Sequence, residues 1–526
     1  MDHSPIVEQM TRPDFYPHRP QKVEVVQTHI SYVFIAGDFV YKVKKPVNFG
    51  FLDFTTLDKR KFYCEEELRL NKRLAPSIYL DVVPIGRDNA GRLTLGGVPD
   101  IVEYAVLMKK LPLDKMLKIL LARGKADVDV MDAVAEKIAR FHQEAQTGGR
   151  IDEMGSASVI RHNHEENFAQ TEKYIDVTLS PFQHAFLKAY AEKFIASNTN
   201  LLAKRVTEHK IRDCHGDLHL EHICVADEIM VFDCIEFNER FRFADVAAEV
   251  AFLTMDLDYN GYFSQSVDFT NSYLKYSRDE DLRALLNFYR CYYAFVRGKV
   301  TSFRLDQKEM PQTERAEIHR IASKYFDLAC NYASRLEKPA LILTAGLIGS
   351  GKSYQARSLA AQLGAEVIRT DVLRKELLQI APTEKHHESF GQGIYADDTS
   401  RKTYEKAFEL AADKIGRGIP VILDASFRCR SDRTMAVDMA RKLGVAFYVI
   451  ECTCPDDVVK IRLEKRMLDP DNPSDGRLEI LQEQKKQYEA VTEIPENRLF
   501  RIDTSDKPET VRRQIVSSIK LAELQA

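Results

Sequence analysis

The stretch that most constrains this chain is Leu341-Ile-Leu-Thr-Ala-Gly346-Leu-Ile-Gly349-Ser350-Gly351-Lys352-Ser353. An apolar strand runs into a glycine-rich loop. The loop opens a helix that starts at Lys352 and continues through Ala356, Leu359, Ala360 and Leu363 to Gly364. Gly346, Gly349 and Gly351 allow backbone N–H groups, Ser350 among them, to turn inward around an anion. The helix N-terminus adds partial positive charge and Lys352 a full one, while the Ser353 hydroxyl is placed to hold Mg2+. The spacing G-x-x-x-x-G-K-[ST] between a strand and a helix implies binding of a nucleoside triphosphate, with ATP the expected nucleotide.

The chain around that loop alternates between strands and helices. Glu366-Val-Ile-Arg-Thr-Asp371 reads as a strand ending in an aspartate, followed by a helix with Arg374 in its first turn. Gly418-Ile-Pro-Val-Ile-Leu-Asp424 is a second such strand, and 445–450 and 499–503 are two more. This pattern predicts an α/β domain over 338–526, a parallel five-stranded sheet with helices on both faces and ligands at the strand C-terminal ends. Asp371 and Asp424 are both expected at that edge.

At 526 residues the chain is several times longer than one such domain needs, so a second unit is expected. A hydrophobic fraction of 44% with 29% charged residues is ordinary for a globular protein and argues against disorder. The net charge of −4 supplies no global field for nucleic acid or an anionic membrane. Nine scattered cysteines without a C-x-x-C pair predict a reducing compartment and no zinc framework. The start has no basic or apolar leader and no run is long enough to span a bilayer, so a cytoplasmic location is expected.

The polar segment Thr11 to Pro20 reads as a loosely held strap. Alternation on both sides of Gly37-Asp38 then predicts a β-hairpin whose second strand carries Lys42 and Lys44 on one face. A helix from about 58 to 74 carries Glu65, Glu66 and Glu67, further strands reach 106, and the extended run 107–112 closes a first lobe of about 20–110. From 113 to 336 the periodicity is largely helical. Polar residues ending in Pro339 mark the domain boundary.

Within this helical lobe lies Cys214-His215-Gly216-Asp217-Leu218-His219-Leu-Glu-His222, followed by Ile229-Met-Val-Phe-Asp233-Cys-Ile-Glu236. A phosphotransferase needs one carboxylate to take the proton of the attacking hydroxyl and another to hold metal on the phosphates. Asp217 and Asp233 suit those two tasks. The aromatic stripe Phe288, Tyr289, Tyr292, Tyr293 and Phe295 is expected to be core rather than an acceptor pocket.

On these motifs, 1–336 resembles the aminoglycoside phosphotransferase and choline kinase group, which implies an α+β, protein-kinase-like fold of a β-rich and a helical lobe. The resemblance implies Asp217 as catalytic base and Asp233 as metal ligand. It also implies Lys42 as the phosphate-binding lysine, with Val40 facing the adenine, and Glu67 as its partner with Glu66 as the alternative. His222 stands where the group offers an asparagine to Mg2+, and imidazole is a poor ligand for that ion. Three outcomes stay open: a single metal, recruitment of another ligand such as Asn238, or loss of catalysis. A transition metal on the three histidines explains the loop with more assumptions than the two aspartates do, and His219 is read as structural.

The segment 338–526 resembles small P-loop kinases of the polynucleotide kinase and zeta-toxin kind. That implies Asp371 as activator of the acceptor hydroxyl, Arg374 as holder of an acceptor phosphate and Asp424 beside Mg2+. Arg462 and Arg466 would form a lid over the phosphates, the alternative being a solvated helix face paired with Glu464.

The reading is therefore two ATP- and Mg2+-dependent phosphotransferase modules acting on small-molecule or nucleotide-like hydroxyl acceptors. One competitor is a nucleotide-controlled regulator with a non-catalytic N-terminal half, which His222 favours. Another is a nucleic-acid end-processing enzyme using Arg428, Arg430 and Arg433, which the net charge does not support.

Overall fold

The computed structural model describes residues 5–88, 91–96, 100–307, 309–336, 338–381, 384, 392–467, 478–506 and 508–523. The chain forms two compact units, 1–181 with 198–329 and 182–197 with 330–526. The helix Pro181–Ser197 thus groups with the C-terminal unit, a division that differs from the sequence boundary at 336. Within that unit the Lys520 ammonium lies 5.4 Å over the ring of Tyr190 on this helix.

The N-terminal unit opens with a six-stranded antiparallel sheet. In spatial order its strands are Val23–Gln27, Ser31–Ala36, Phe39–Lys44, Asp100–Lys109, Tyr79–Arg87 and Leu93–Leu95. The expected hairpin pairs Ala36 with Phe39 around Gly37, which takes φ +66°. The leading segment is not loosely held. Met10 and Tyr16 are buried in the sheet's core, and the Tyr16 hydroxyl donates to the Met10 carbonyl at 2.6 Å. A polar composition concealed those two anchors.

The helix Leu57–Asn71, capped by Thr56 accepting from the Lys59 amide, packs on the central strands of this sheet. Beyond it the unit is helical, and Val246–Tyr259 and Leu282–Phe303 form its centre. Phe288, Tyr289 and Phe295 of the aromatic stripe are buried there. Three short strands of three residues each, Ile211–Asp213, Ile223–Val225 and Ile229–Val231, frame the loop that carries Asp217.

The C-terminal unit is a parallel sheet with strand order Glu366–Arg369, Val421–Asp424, Ala340–Ala345, Ala446–Thr453, Leu499–Asp503. Every residue of Ala340–Ala345 is buried. Leu341, Leu343 and Ala345 join one core with Ala407, Phe408 and Ala436, while Ile342 joins the other with Leu359, Leu363 and Ile519. Period-two alternation on a strand covered on both faces accounts for its continuous apolar run. No helix of the described residues is long and apolar enough to cross a membrane.

Candidate active sites

In the N-terminal unit, side chains two apart on Phe39–Lys44 point the same way, so Lys42 and Lys44 reach one layer. Lys42 Nζ donates to Asp233 Oδ1 at 2.6 Å and lies 2.9 Å from Glu67 Oε1, the second an ionic contact off the hydrogen-bond direction. Lys44 Nζ donates to Glu67 Oε2 at 2.7 Å and also to Glu236. Glu67, not Glu66, therefore meets the lysines; Glu66 faces outward and pairs with Arg69 at 2.7 Å. Burial opposes ionisation of Glu67, and the two ammonium groups outweigh it and hold the carboxyl below its ordinary range. Burial wins at Glu236, whose carboxyl is raised.

Asp233 sits at φ +63°, a left-handed conformation that aspartate tolerates better than most side chains, and its amide donates to the Tyr79 hydroxyl at 3.2 Å. Burial opposes its ionisation, but Lys42 and His222 keep it well below the usual carboxylate range.

The loop holding Asp217 is anchored from beneath. Glu249, buried on Val246–Tyr259, accepts the amides of His215 at 2.7 Å and Gly216 at 2.6 Å through Oε1. Its Oε2 meets His142 Nε2 at 2.7 Å, and His142 Nδ1 meets the Tyr273 hydroxyl at 2.8 Å. Gly216 takes φ +86°, and a Cβ there would stand 3.0 Å from the Phe241 carbonyl. His215 accepts the Asp217 amide at Nδ1 (3.3 Å) and donates from Nε2 to the Phe232 carbonyl (2.9 Å); burial lowers it to about 4, so it is a neutral strut.

The Asp217 carboxylate is a third exposed and points toward His219 and His222, 3.5 and 3.6 Å away. Burial opposes its charge, yet His219, His222 and Arg297 bring it down to about 2. His222 spans the two aspartates, its Nε2 lying 3.6 Å from Asp233 Oδ2. Asn238 is committed elsewhere: its side-chain oxygen caps Glu239–Arg242 by accepting the Arg240 amide at 3.0 Å. Sequence reasoning named Lys44 and Glu236 without giving them a task, and it missed Glu249 and Arg297. A buried glutamate in an apolar helix was the available signal for Glu249; Arg297 offered none.

In the C-terminal unit Gly346, Gly349 and Gly351 all have positive φ, +132°, +75° and +86°. A Cβ at Gly346 would stand 2.4 Å from the Cys452 carbonyl, so the turn requires glycine. Lys352 begins the helix Lys352–Leu363, with Ser353 next, and its Nζ donates to the Leu347 carbonyl at 2.6 Å. Ser350 is buried at the base of the loop, where the Thr504 hydroxyl donates to its carbonyl at 2.8 Å.

Asp424 ends its strand as expected, with Ser353 donating to its carboxylate. Burial and the charge of Asp371 raise it, against Ser353, Lys352 and Arg369. Two adjacent oxygen donors fit Mg2+, which prefers hard ligands. Asp371 differs from expectation: the strand stops at Arg369, and Asp371 occupies the first turn of the helix Thr370–Leu377. Thr370, the first residue of that helix, donates to the Asp424 carbonyl at 3.2 Å. The Asp371 carboxylate is still at the strand edge, 36% exposed and 3.5 Å from Arg374 Nη1.

Arg462 donates to the Thr504 hydroxyl at 2.8 Å and carbonyl at 2.6 Å, so it borders the glycine loop rather than pairing with Glu464 on a solvated face. Arg466 falls in the helix Asp456–Met467, but its side chain, like the segment 468–477, lies outside the described residues. Arg433 is fully buried and donates to the Phe427 carbonyl at 2.8 Å and to Glu493. That removes one of the three arginines from a basic acceptor groove.

Residues 341–491 match the family model described as an AAA domain, which identifies the glycine loop and its sheet as a P-loop domain. An uncharacterized protein of Mycobacterium tuberculosis strain H37Rv is 30% identical over 446 residues, covering 84% of this chain and 86% of that one. The chain belongs to the family of this mycobacterial protein. Another member, an uncharacterized protein of Mycobacterium bovis, has the same identity and coverage. The alignment is longer than either unit, so it reaches into both.

Among solved structures, a gluconokinase from Sinorhizobium meliloti is 21% identical, covering 35% of this chain and 94% of that one, with a TM-score of 0.26. The amicoumacin kinase hAmiN, in complex with AMP-PNP, Ca2+ and Ami, is 14% identical, covering 62% of this chain and 94% of that one, with a TM-score of 0.39. Likeness at this level carries no functional weight.

Proposed function

We propose that this family member is an ATP-dependent phosphotransferase with two modules, each moving the γ-phosphoryl group of ATP onto a hydroxyl acceptor. The observation that carries the reading is the division of labour between carboxylates. In the C-terminal unit Asp424 is buried against Ser353, while Asp371 stands 36% exposed beside it. Two carboxylates in such different surroundings suit two tasks, one holding a cation and one meeting the acceptor.

Ser353 and Asp424 would hold Mg2+, which neutralises phosphate charge when bound. The backbone N–H groups of 346–351 and Lys352 cradle the phosphates, Asp371 takes the acceptor proton at its carboxylate, and Arg374 positions an acceptor of acidic character. The N-terminal unit supports the same reading in a kinase-like arrangement. Lys42, oriented by Glu67, faces the phosphates, Asp233 faces the cation, and Asp217, held ionised by its histidines, receives the acceptor proton.

The full chain, incubated with γ-labelled ATP and a metabolite extract, is expected to label a small molecule. Label in a nucleic-acid fraction would instead indicate end processing, and hydrolysis without transfer the nucleotide-controlled regulator. Asp217→Ala and Lys352→Ala, made separately, assign each labelled product to one module; a double variant with undiminished transfer refutes both.

A further inference from the structure

We infer that Gln484 is an internal competitor for the nucleotide of the C-terminal unit: its carboxamide oxygen takes a phosphate's place on the glycine loop, so that ATP must displace it. The inference rests on the reading of that loop as a phosphate cradle, and it adds a residue that sets nucleotide affinity from 136 positions further along the chain. Gln484 Oε1 accepts the Ile348 amide at 2.9 Å. One N–H makes one full hydrogen bond, so the carboxamide and a phosphate oxygen cannot both take it. Lys352 makes a matching contact, its ammonium donating at 2.6 Å to the carbonyl of Leu347, the residue before Ile348. A loop of this kind binds an anion through its backbone N–H groups and its lysine. Here one of those amides and that ammonium are both met by oxygens of the chain itself.

Packing imposes the contact. Leu347 and Ile348, the apolar pair between Gly346 and Gly349, pack against Val459, Leu463 and Leu481 in a small cluster of their own. Leu481 stands one turn before Gln484 on the helix Leu478–Gln487, so the face that covers the loop's side chains also brings the carboxamide to its backbone. That helix is tied down independently of the loop. Lys485 donates to Asp456 at 2.6 Å, and just beyond the helix the Tyr488 hydroxyl donates to Glu451 at 2.7 Å and the Glu489 amide to the Arg428 carbonyl at 3.0 Å. Gly349 in turn approaches Val459 so closely that a Cβ would stand 2.8 Å away. The loop is therefore seated on both helices, Asp456–Met467 and Leu478–Gln487.

Glutamine suits this task where glutamate does not. A neutral amide oxygen yields to a phosphate oxygen, whose charge makes its hydrogen bonds roughly twice as strong. A carboxylate in the same place would hold the Ile348 amide by a charge-assisted bond and repel the triphosphate. Gln484 is thus a displaceable stand-in, which keeps the loop satisfied and lowers nucleotide affinity by the worth of the contact that has to break.

The test uses the full chain. Hydrogen exchange of a peptide covering Ile348, read by mass spectrometry without nucleotide, should be slow in the wild type and faster in Gln484→Ala; equal rates overturn the inference. Calorimetric titration with a non-hydrolysable ATP analogue then takes the C-terminal site as the isotherm that Lys352→Ala removes. At that site Gln484→Ala should bind about two- to tenfold more tightly, the worth of one net hydrogen bond, and Gln484→Glu more weakly than the wild type. Weaker binding by Gln484→Ala would make Gln484 a brace that keeps the loop in shape, and unchanged affinity would show that the phosphates do not need the Ile348 amide; either result overturns the inference. If Lys352→Ala removes no isotherm, the reading of the loop as a phosphate cradle fails and the inference with it. With that isotherm present, the Gln484 variants alone decide.

Discussion

Removing Glu249 tests whether the Asp217 loop is held by the buried network beneath it. Glu249 accepts the His215 and Gly216 amides and meets His142, all within 2.6–2.7 Å. In Glu249→Ala the imidazole can exchange tautomers, but the two amides lose their acceptor, at about 1–3 kcal/mol each. A loss of roughly 2–6 kcal/mol is expected, a large share of what a domain of this size has. Glu249→Gln keeps an acceptor for both amides and places its NH2 against the His142 ring, so it should cost less than half as much. Urea unfolding of the full chain, followed by circular dichroism, is expected to show the N-terminal transition moving to lower urea while the C-terminal one stays. The pH dependence carries a sign as well. Glu249 is held below its ordinary range, so its contribution is complete above the unfolded carboxylate value and disappears as pH falls through the lower folded one. Glu249→Ala within 1 kcal/mol of wild type, or equal to Glu249→Gln, would show that the amides have another acceptor and that the loop is anchored differently.

Other perturbations separate the modules. Lys352→Ala removes the full positive charge of the glycine loop and should abolish C-terminal transfer while leaving any Asp217-dependent product, as labelled ATP would reveal. Asp371→Asn should retain nucleotide affinity and lower transfer by about two to four orders of magnitude, the range of general-base catalysis; lost affinity in calorimetry would make Asp371 a metal or structural group instead. Because burial and Asp371 raise Asp424, its protonated form competes with the cation as pH falls. Mg-nucleotide affinity at the C-terminal site should therefore weaken from neutral toward acid pH with proton release on binding, measured by calorimetry in two buffers of different ionisation enthalpy.

The glycine loop is legible in the sequence because its chemistry is local: three glycines, a lysine and a serine within eight residues dictate the backbone that wraps an anion, whatever surrounds them. The parallel sheet is legible for a related reason, since a strand buried on both faces is nearly all apolar, as Ala340–Ala345 is apart from Thr344. Only tertiary structure decided what depends on helix phase, on turns and on partners far along the chain. Glu65, Glu66 and Glu67 are chemically alike, and packing of Leu57–Asn71 on the sheet brings Glu67 between the lysines. Lys42 meets Asp233 across a sequence separation of 191, a pairing that no local pattern encodes. The strap reads as polar, yet Tyr16 within it and Met10 just before it are buried, and the strand before Asp371 stops at Arg369, where Thr370 bonds the Asp424 carbonyl. His222 could be read from sequence only as a residue ill suited to Mg2+. Only the fold brings it between the two aspartates, within 3.6 Å of a carboxylate oxygen of each, because the three residues meet through the course of the loop and not through a local pattern.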